Sequence, residues 1–341
     1  MRKAAAGLLA MLLLAGTFCA CSASAPLFAE RESTRLLRLS IPKGVSPDAA
    51  RGLDMFIAKV DDVSDGRVRI EKSACDDPIA ALDEGSDLIF APNADAARAN
   101  GDFLAYTSPF YFLDHTHLTV TLNSDSFRSL IEEKTSSLLG ASPLAAFYGG
   151  SRIFLSDESD LLDDCEGWQD VRASVSSEED LLAVVLESLG AEVSLRSPDE
   201  LMEGFLDGRY RTIDCETREL KNLVSGKINN ADITGFTSFH AASVGWLLLS
   251  ETARDSLTEF EYAVLREAAA YGLAENDGAI LAEEQEAMEY ASALGVEVYP
   301  IRYDDFCERA DIAFLGAVRY RNLWDWETHD AVRLLAQSGA G

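Results

Sequence analysis

Two hydrophobic periods alternate along the chain, one of two residues and one of three to four, and each switch marks an element boundary. Leu36 to Ile41 reads as an opening strand. Ser46-Pro47 starts a helix, with serine as the cap and proline at the first helical position. Leu53, Phe56, Ile57, Val60 and Val63 then recur at helical spacing. Asp65-Gly66 turns the chain into the alternating strand Arg67 to Ile70, and a short helix, Asp77 to Asp83, leads to a buried-type strand, Asp87 to Ala91. This βαβαβ opening predicts a mainly parallel sheet covered by helices.

Beyond it, Phe103 to His117 is a stiff aromatic loop built on Pro109, Phe110, Tyr111 and Phe112. Its ordinary reading is a core plug, and its sharper one a ligand wall. A helix follows near Ser124 to Leu138, then a strand from Leu144 to Tyr148. Two short apolar runs, Ile153 to Leu155 and Val171 to Val175, flank an acidic, turn-rich stretch from Asp157 to Gly167. Glu178 to Leu189 and Pro198 to Leu206 are predicted helices, and Glu192 to Leu195 and Arg209 to Asp214 predicted strands. Ile233 to Phe239 and Val244 to Leu249 read as strands returning to the first half. One long helical pattern runs from Glu251 to Ala293, with a kink predicted at Gly272 and Asn276-Asp277-Gly278. A last strand, Val296 to Tyr299, a last helix, Tyr303 to Val318, and a tail carrying Trp324 and Trp326 that is placed to dock on the body complete the chain.

At 341 residues, 48% apolar and 26% charged, the chain has room for two domains and a sizeable core. Asp and Glu outnumber Lys and Arg by 58 to 29. The resulting charge of −29 argues against a nucleic-acid partner, whose phosphates it would repel, and against direct docking on an anionic membrane. The amino terminus is a targeting signal: Arg2 and Lys3, then an apolar run from Ala4 to Phe18 too short to span a bilayer comfortably. Phe18-Cys19-Ala20-Cys21 resembles a bacterial lipobox, with small Ala20 before Cys21, so Cys21 is expected to be the lipidated first residue of the mature chain. Cleavage near Ala25 and retention as an anchor helix are the alternatives. Residues 1–20 are then the signal peptide and 21–33 a tether, leaving an exported body held to the extracytoplasmic face of the cell membrane.

Cys75, Cys165, Cys215 and Cys307 are far apart, without CxxC or His-rich spacing, so neither a metal site nor a cofactor is expected. Export permits disulfides, and three pairings or four free thiols are open. No Gly-rich phosphate loop, G-x-S-x-G elbow or HExxH occurs, and His115, His117, His240 and His329 are scattered, which argues against an enzyme. The residues that invite a sharper reading are Arg152 and Arg172, one at the head of each short apolar run. A guanidinium is always charged, and its fork of N–H donors meets both oxygens of a carboxylate. The bland alternative is that each pairs with one of the many nearby acids.

The order of these motifs resembles the substrate-binding proteins of tripartite ATP-independent periplasmic (TRAP) transporters, over about Leu36 to Ala317. The resemblance rests on the Ser-Asp-Gly-Arg turn before Val68-Arg69-Ile70 and the Gly85-x-Asp87 turn. It also rests on Ser108-Pro109-Phe110-Tyr111-Phe112 with Asp114 and His117, the Gly-x-Arg strand at Arg152, and the Gly-then-Arg strand at Arg172. Phe205-Leu206-Asp207-Gly208, and Trp246 to Leu249 before a long acidic helix, complete it. It implies a two-lobed α/β fold of mixed sheets flanked by helices, with a long kinked helix spanning both lobes. Lobe I would be 34–150 and 236–275, lobe II 151–235 and 276–320, and 321–341 a tail. It further implies an organic acid held in the interlobe cleft and delivered to a TRAP-type permease. Arg172 would grip the carboxylate, Arg152 would assist, and Tyr111, Phe112, Asp214 and Phe236 would be neighbours. The chain departs from the family around Gly167 to Arg172, where the spacing is one residue longer, and at Arg209-Tyr210-Arg211-Thr212, where the family has Val-Val-Asp-Gly. A surface interaction or sensor lipoprotein on the same scaffold is the alternative.

Overall fold

The computed structural model describes residues 34–157, 162–177, 180–226, 232–317 and 325–339. The signal, Cys21, the tether and Trp324 lie outside them. A single strand organises the rest. Gly149-Gly150 joins the two apolar runs at Leu144 and Ile153 into one 16-residue strand, β4 (Ala141–Ser156), where two strands are expected from the sequence. Its first part, Ala141 to Ser151, pairs antiparallel with β9 (Ala242–Ser250). Its last part pairs with β7 (Thr212–Glu216) on one side and β8 (Thr234–Thr237) on the other. β4 therefore belongs to two half-sheets.

The first half runs β2 (Val68–Cys75), β1 (Arg35–Pro42), β3 (Leu88–Pro92), β9, β4, with β1 parallel to both β2 and β3 as the opening pattern predicts. The second half runs β4, β7, β5 (Arg172–Ser176), β6 (Glu192–Arg196), with β5 parallel to β6 and β7. β10 (Glu297–Pro300) extends it through β8. The predicted strand Arg209 to Asp214 forms slightly later, at Thr212–Glu216.

Helices cover both faces. Helix Pro47–Val63 starts as expected, with Ser46 Oγ accepting from Ala49 N–H and Pro47 in the first turn. The long helical pattern divides at Leu257, because Thr258 and Glu261 form a capping box that starts a fresh helix, Glu259–Ala293. This 35-residue helix runs on through Gly272 and Gly278. Gly272 is a packing glycine: a Cβ there would lie 2.7 Å from the Gly52 carbonyl oxygen of helix Pro47–Val63. The helix packs Val264, Leu265 and Ala268 on the first half-sheet and Ala287 and Ala291 on the second, so one rigid element spans both. The carboxyl-terminal segment is a helix, Trp326–Gly339, and Trp326 packs against the body as expected. All four described cysteines are free thiols. No helix among the described residues is long and apolar enough to cross a membrane.

Candidate functional site

Where β4 passes from one half-sheet to the other, polar side chains gather against the long helix. Ser151 and Arg152 come from β4, Thr217 from the turn after β7, and Ser238 from the link between β8 and β9. All four line an open groove of about 530 Å³, walled by Phe239, Leu281, Met288 and Ile301.

Arg152 is buried and points at Asp214, which is itself fully buried on the neighbouring strand. Nε donates to Asp214 Oδ2 at 2.8 Å and Nη2 lies 2.7 Å from the same oxygen. Asp214 Oδ1 accepts from His240 Nε2 at 3.0 Å, and His240 Nδ1 lies 3.0 Å from Ser238 Oγ. The imidazole stacks on Phe154 at 3.9 Å between centroids. Burial alone would raise the Asp214 pKa, but Arg152 and His240 overcome it and hold the carboxyl below its usual range. Burial pushes His240 down, against the pull of Asp214. Two bulky residues with positive φ flank this imidazole, Phe110 (63°) and Phe239 (51°). Phe110 N–H donates to the His240 carbonyl, and its own carbonyl accepts from Tyr303 Oη at 2.7 Å.

Glu284 of the long helix, mostly buried, also lines the groove, and accepts from Tyr148 Oη at 2.9 Å, Ser151 N–H at 2.5 Å and Ser151 Oγ at 2.9 Å. Ser151 Oγ also lies 2.9 Å from Thr217 Oγ1. The half-sheets meet again at Arg218, just after β7. Its Nη1 lies 3.0 Å from Asp48 Oδ2 at the start of helix Pro47–Val63. Its Nη2 donates to the Gly149 carbonyl and to Glu216 Oε2, each at 3.1 Å.

The residues singled out from sequence are not gathered in one place. Arg152 and Asp214 meet directly. Arg172 is the first residue of β5, exposed, beside a separate depression of about 450 Å³ lined with Ser174, Glu192, Arg209 and Arg211. By register it lies level with the start of β7, whereas Arg152 pairs with the last residue, Glu216. Tyr111, Phe112 and Phe236 are buried. The Tyr111 hydroxyl meets the His329 ring of the terminal helix, Phe112 packs edge-on against His117 at 5.5 Å, and Phe236 pairs across strands with Phe154. The aromatic loop thus packs under the terminal helix, where Phe110 and Tyr111 also line a separate depression of about 360 Å³ with Tyr303, Cys307 and Arg333. Sequence reading missed Ser238 and His240, because only the strand register brings them to Asp214. It also missed Arg218, although an arginine at the carboxyl end of a parallel strand stands where α/β folds bind ligands.

The class of protein this architecture defines is a two-lobed α/β binding fold. A family model, bacterial extracellular solute-binding protein, family 7, matches residues 51–310, and the chain belongs to that family. Solved structures agree on the fold. A TRAP periplasmic solute-binding protein from Rhodobacter sphaeroides superposes with a TM-score of 0.76 at 11% identity, covering 89% of this chain and 99% of that one. One from Escherichia fergusonii gives 0.71 at 17% identity, covering 89% and 100%. One from a Sulfitobacter species, with bound β-D-galacturonate, gives 0.62 at 16% identity, again covering 89% and 100%. None of the curated proteins searched matches the chain.

Proposed function

We propose that the chain is a lipid-anchored extracytoplasmic receptor. It captures a small organic acid in the groove beside the β4 crossing and delivers it to a TRAP-type membrane permease. The observation that carries this is Arg152, a buried guanidinium in the wall of a groove at the crossing of the two half-sheets, in a chain whose family binds solutes. Arg152 takes the carboxylate-gripping role here, with Asp214 orienting it, and Arg172 stands outside the site at the other end of β7. A low-dielectric wall strengthens a charge-assisted pair, and a neutral analogue would forgo it. Lobe I is read as 34–150 with 236–275, lobe II as 151–235 with 276–320, and closure about β4 and the long helix as a hinge motion selected by ligand. Cys21 carries the lipid, so Cys21→Ser is expected to release the protein from the membrane fraction.

Thermal unfolding of the mature domain against a panel of organic acids tests the binding role. An acid at a hundred times its Kd stabilises by roughly 2.7 kcal/mol. A flat panel would refute it. One observation favours a second reading, a surface interaction or sensor lipoprotein without a small ligand. Arg152 and Arg218 both already carry the chain's own acids, Asp214 for one and Asp48 with Glu216 for the other.

A further inference from the structure

The hydroxyls of the groove do not all keep a proton to offer. Asp214 is a carboxylate paired to Arg152, and a carboxylate only accepts hydrogen bonds, so His240 Nε2 must carry the proton between them. His240 is fully buried between the rings of Phe154 and Phe110, where the neutral imidazole is favoured. Its Nδ1 is therefore a lone pair, and the partner 3.0 Å away, Ser238 Oγ, has to donate to it. What Ser238 turns to the groove is acceptor only.

The same chain of reasoning runs on the other wall. Ser151 Oγ donates to Glu284 Oε1 at 2.9 Å. Its remaining hydrogen bond, 2.9 Å to Thr217 Oγ1, must then be received from threonine. Thr217 also spends its proton inward and shows its lone pairs outward. Two buried acids, Asp214 and Glu284, thus set the direction of three hydroxyls that line one groove.

We infer that the groove selects a solute bearing hydrogen-bond donors, hydroxyl or ammonium groups, next to its carboxylate, and that Ser238 and Thr217 are the specificity-determining residues. An unsubstituted acid would leave these acceptors without partners once water is displaced, which is costly. A hydroxy or amino acid of the same skeleton satisfies them. This rests on the organic-acid reading above and narrows it to a class of ligand.

Calorimetric titration of the mature chain with matched acids tests it: succinate, L-malate and L-aspartate; glutarate, 2-hydroxyglutarate and L-glutamate; hexanoate and gluconate. The expected result is that, in at least one set, a substituted acid binds about tenfold or more tighter than its unsubstituted parent, the size of one well-made hydrogen bond. Ser238→Ala should reduce that ratio at least about threefold by weakening the substituted acid more than its parent, whose unpaired acceptor the change removes, whereas a merely structural role would weaken both alike. Thr217→Val, at a separate position, should narrow the ratio too. Parent acids that bind as tightly as their substituted forms would overturn the inference and leave the organic-acid reading standing. Ratios unchanged in both variants would likewise overturn it. No heat with any of the acids would overturn both.

Discussion

The two ends of β7 present the same residue type in opposite circumstances. At the carboxyl end, Arg152 is buried against Asp214, with His240 and Ser238 behind that carboxylate. At the amino end, Arg172 is exposed among Arg209 and Arg211, which pair with Asp207 and Asp157. A charge taken out of water has to be met by hydrogen bonds and an opposite charge, whereas a charge left in water needs neither. The buried arginine is therefore fixed in direction and coupled to everything around it. The exposed one is close to energetically independent. A site that must recognise one solute orientation needs the first kind of group.

The largest expected effect is at Asp214. Asp214→Ala leaves Arg152 and His240 buried without their acid, and should cost about 3–5 kcal/mol in urea denaturation. Replacing the pair together, Arg152→Met with Asp214→Leu, should recover most of that, because no uncompensated charge remains. If the double variant is as unstable as the single one, the contrast drawn between the two ends of β7 is wrong. Arg218→Ala removes the link from β7 to Asp48 and the Gly149 carbonyl, and should cost about 1.5–3 kcal/mol, the usual size of hydrogen bonds to charged groups. Faster hydrogen exchange at Gly149 to Arg152 would accompany it, since this contact ties the half-sheets together at the crossing.

Stability should also fall with acid in a defined window. Burial holds His240 below its unfolded pKa of about 6.5, so the unfolded state takes up the proton first. The stabilisation is present above about pH 6.5 and is lost as pH falls through the folded value. Urea midpoints at pH 7.5 and 5.5 should show the drop. His240→Gln should shrink it, with the remainder coming from His329, which burial shifts in the same direction. Asp214 adds a loss of the same sign only at lower pH, below its unfolded value of about 3.9. The smallest effect belongs to Arg172→Ala, expected within about 0.5 kcal/mol of wild type, as for an exposed side chain away from special features.

Much of the architecture is legible in the order of strands and helices, because period-two and period-3.6 patterns are local. The opening βαβαβ, the Ser46-Pro47 helix start and the long helix spanning both halves all follow from such patterns. One glycine pair misled: Gly149-Gly150 falls between two predicted strands but lies within a continuous one, where Gly150 takes a φ of 120°. Gly272 of the long helix stands at a close helix-to-helix contact. The chemistry of the crossing was only half legible. Arg152 stands out in sequence as an arginine beside an apolar run, and Asp214 only through the family resemblance; that they face each other comes from the pairing of β4 with β7. That Asp214 binds His240, 26 residues on, depends on pairing register and on a turn through a left-handed Phe239, neither of which leaves a local pattern. Arg172 looks equivalent to Arg152 in sequence because both begin an apolar run; β4 and β5 bring those beginnings to opposite ends of β7.

The most direct test is a calorimetric comparison of Arg172→Ala and Ser238→Ala, using the acid from the panel that binds wild type most tightly. The expected result is an unchanged Kd, within about twofold, for Arg172→Ala, and a Kd raised about three- to tenfold for Ser238→Ala, one hydrogen bond's worth. Binding abolished by Arg172→Ala and untouched by Ser238→Ala would contradict it, and would move the solute to the other end of β7.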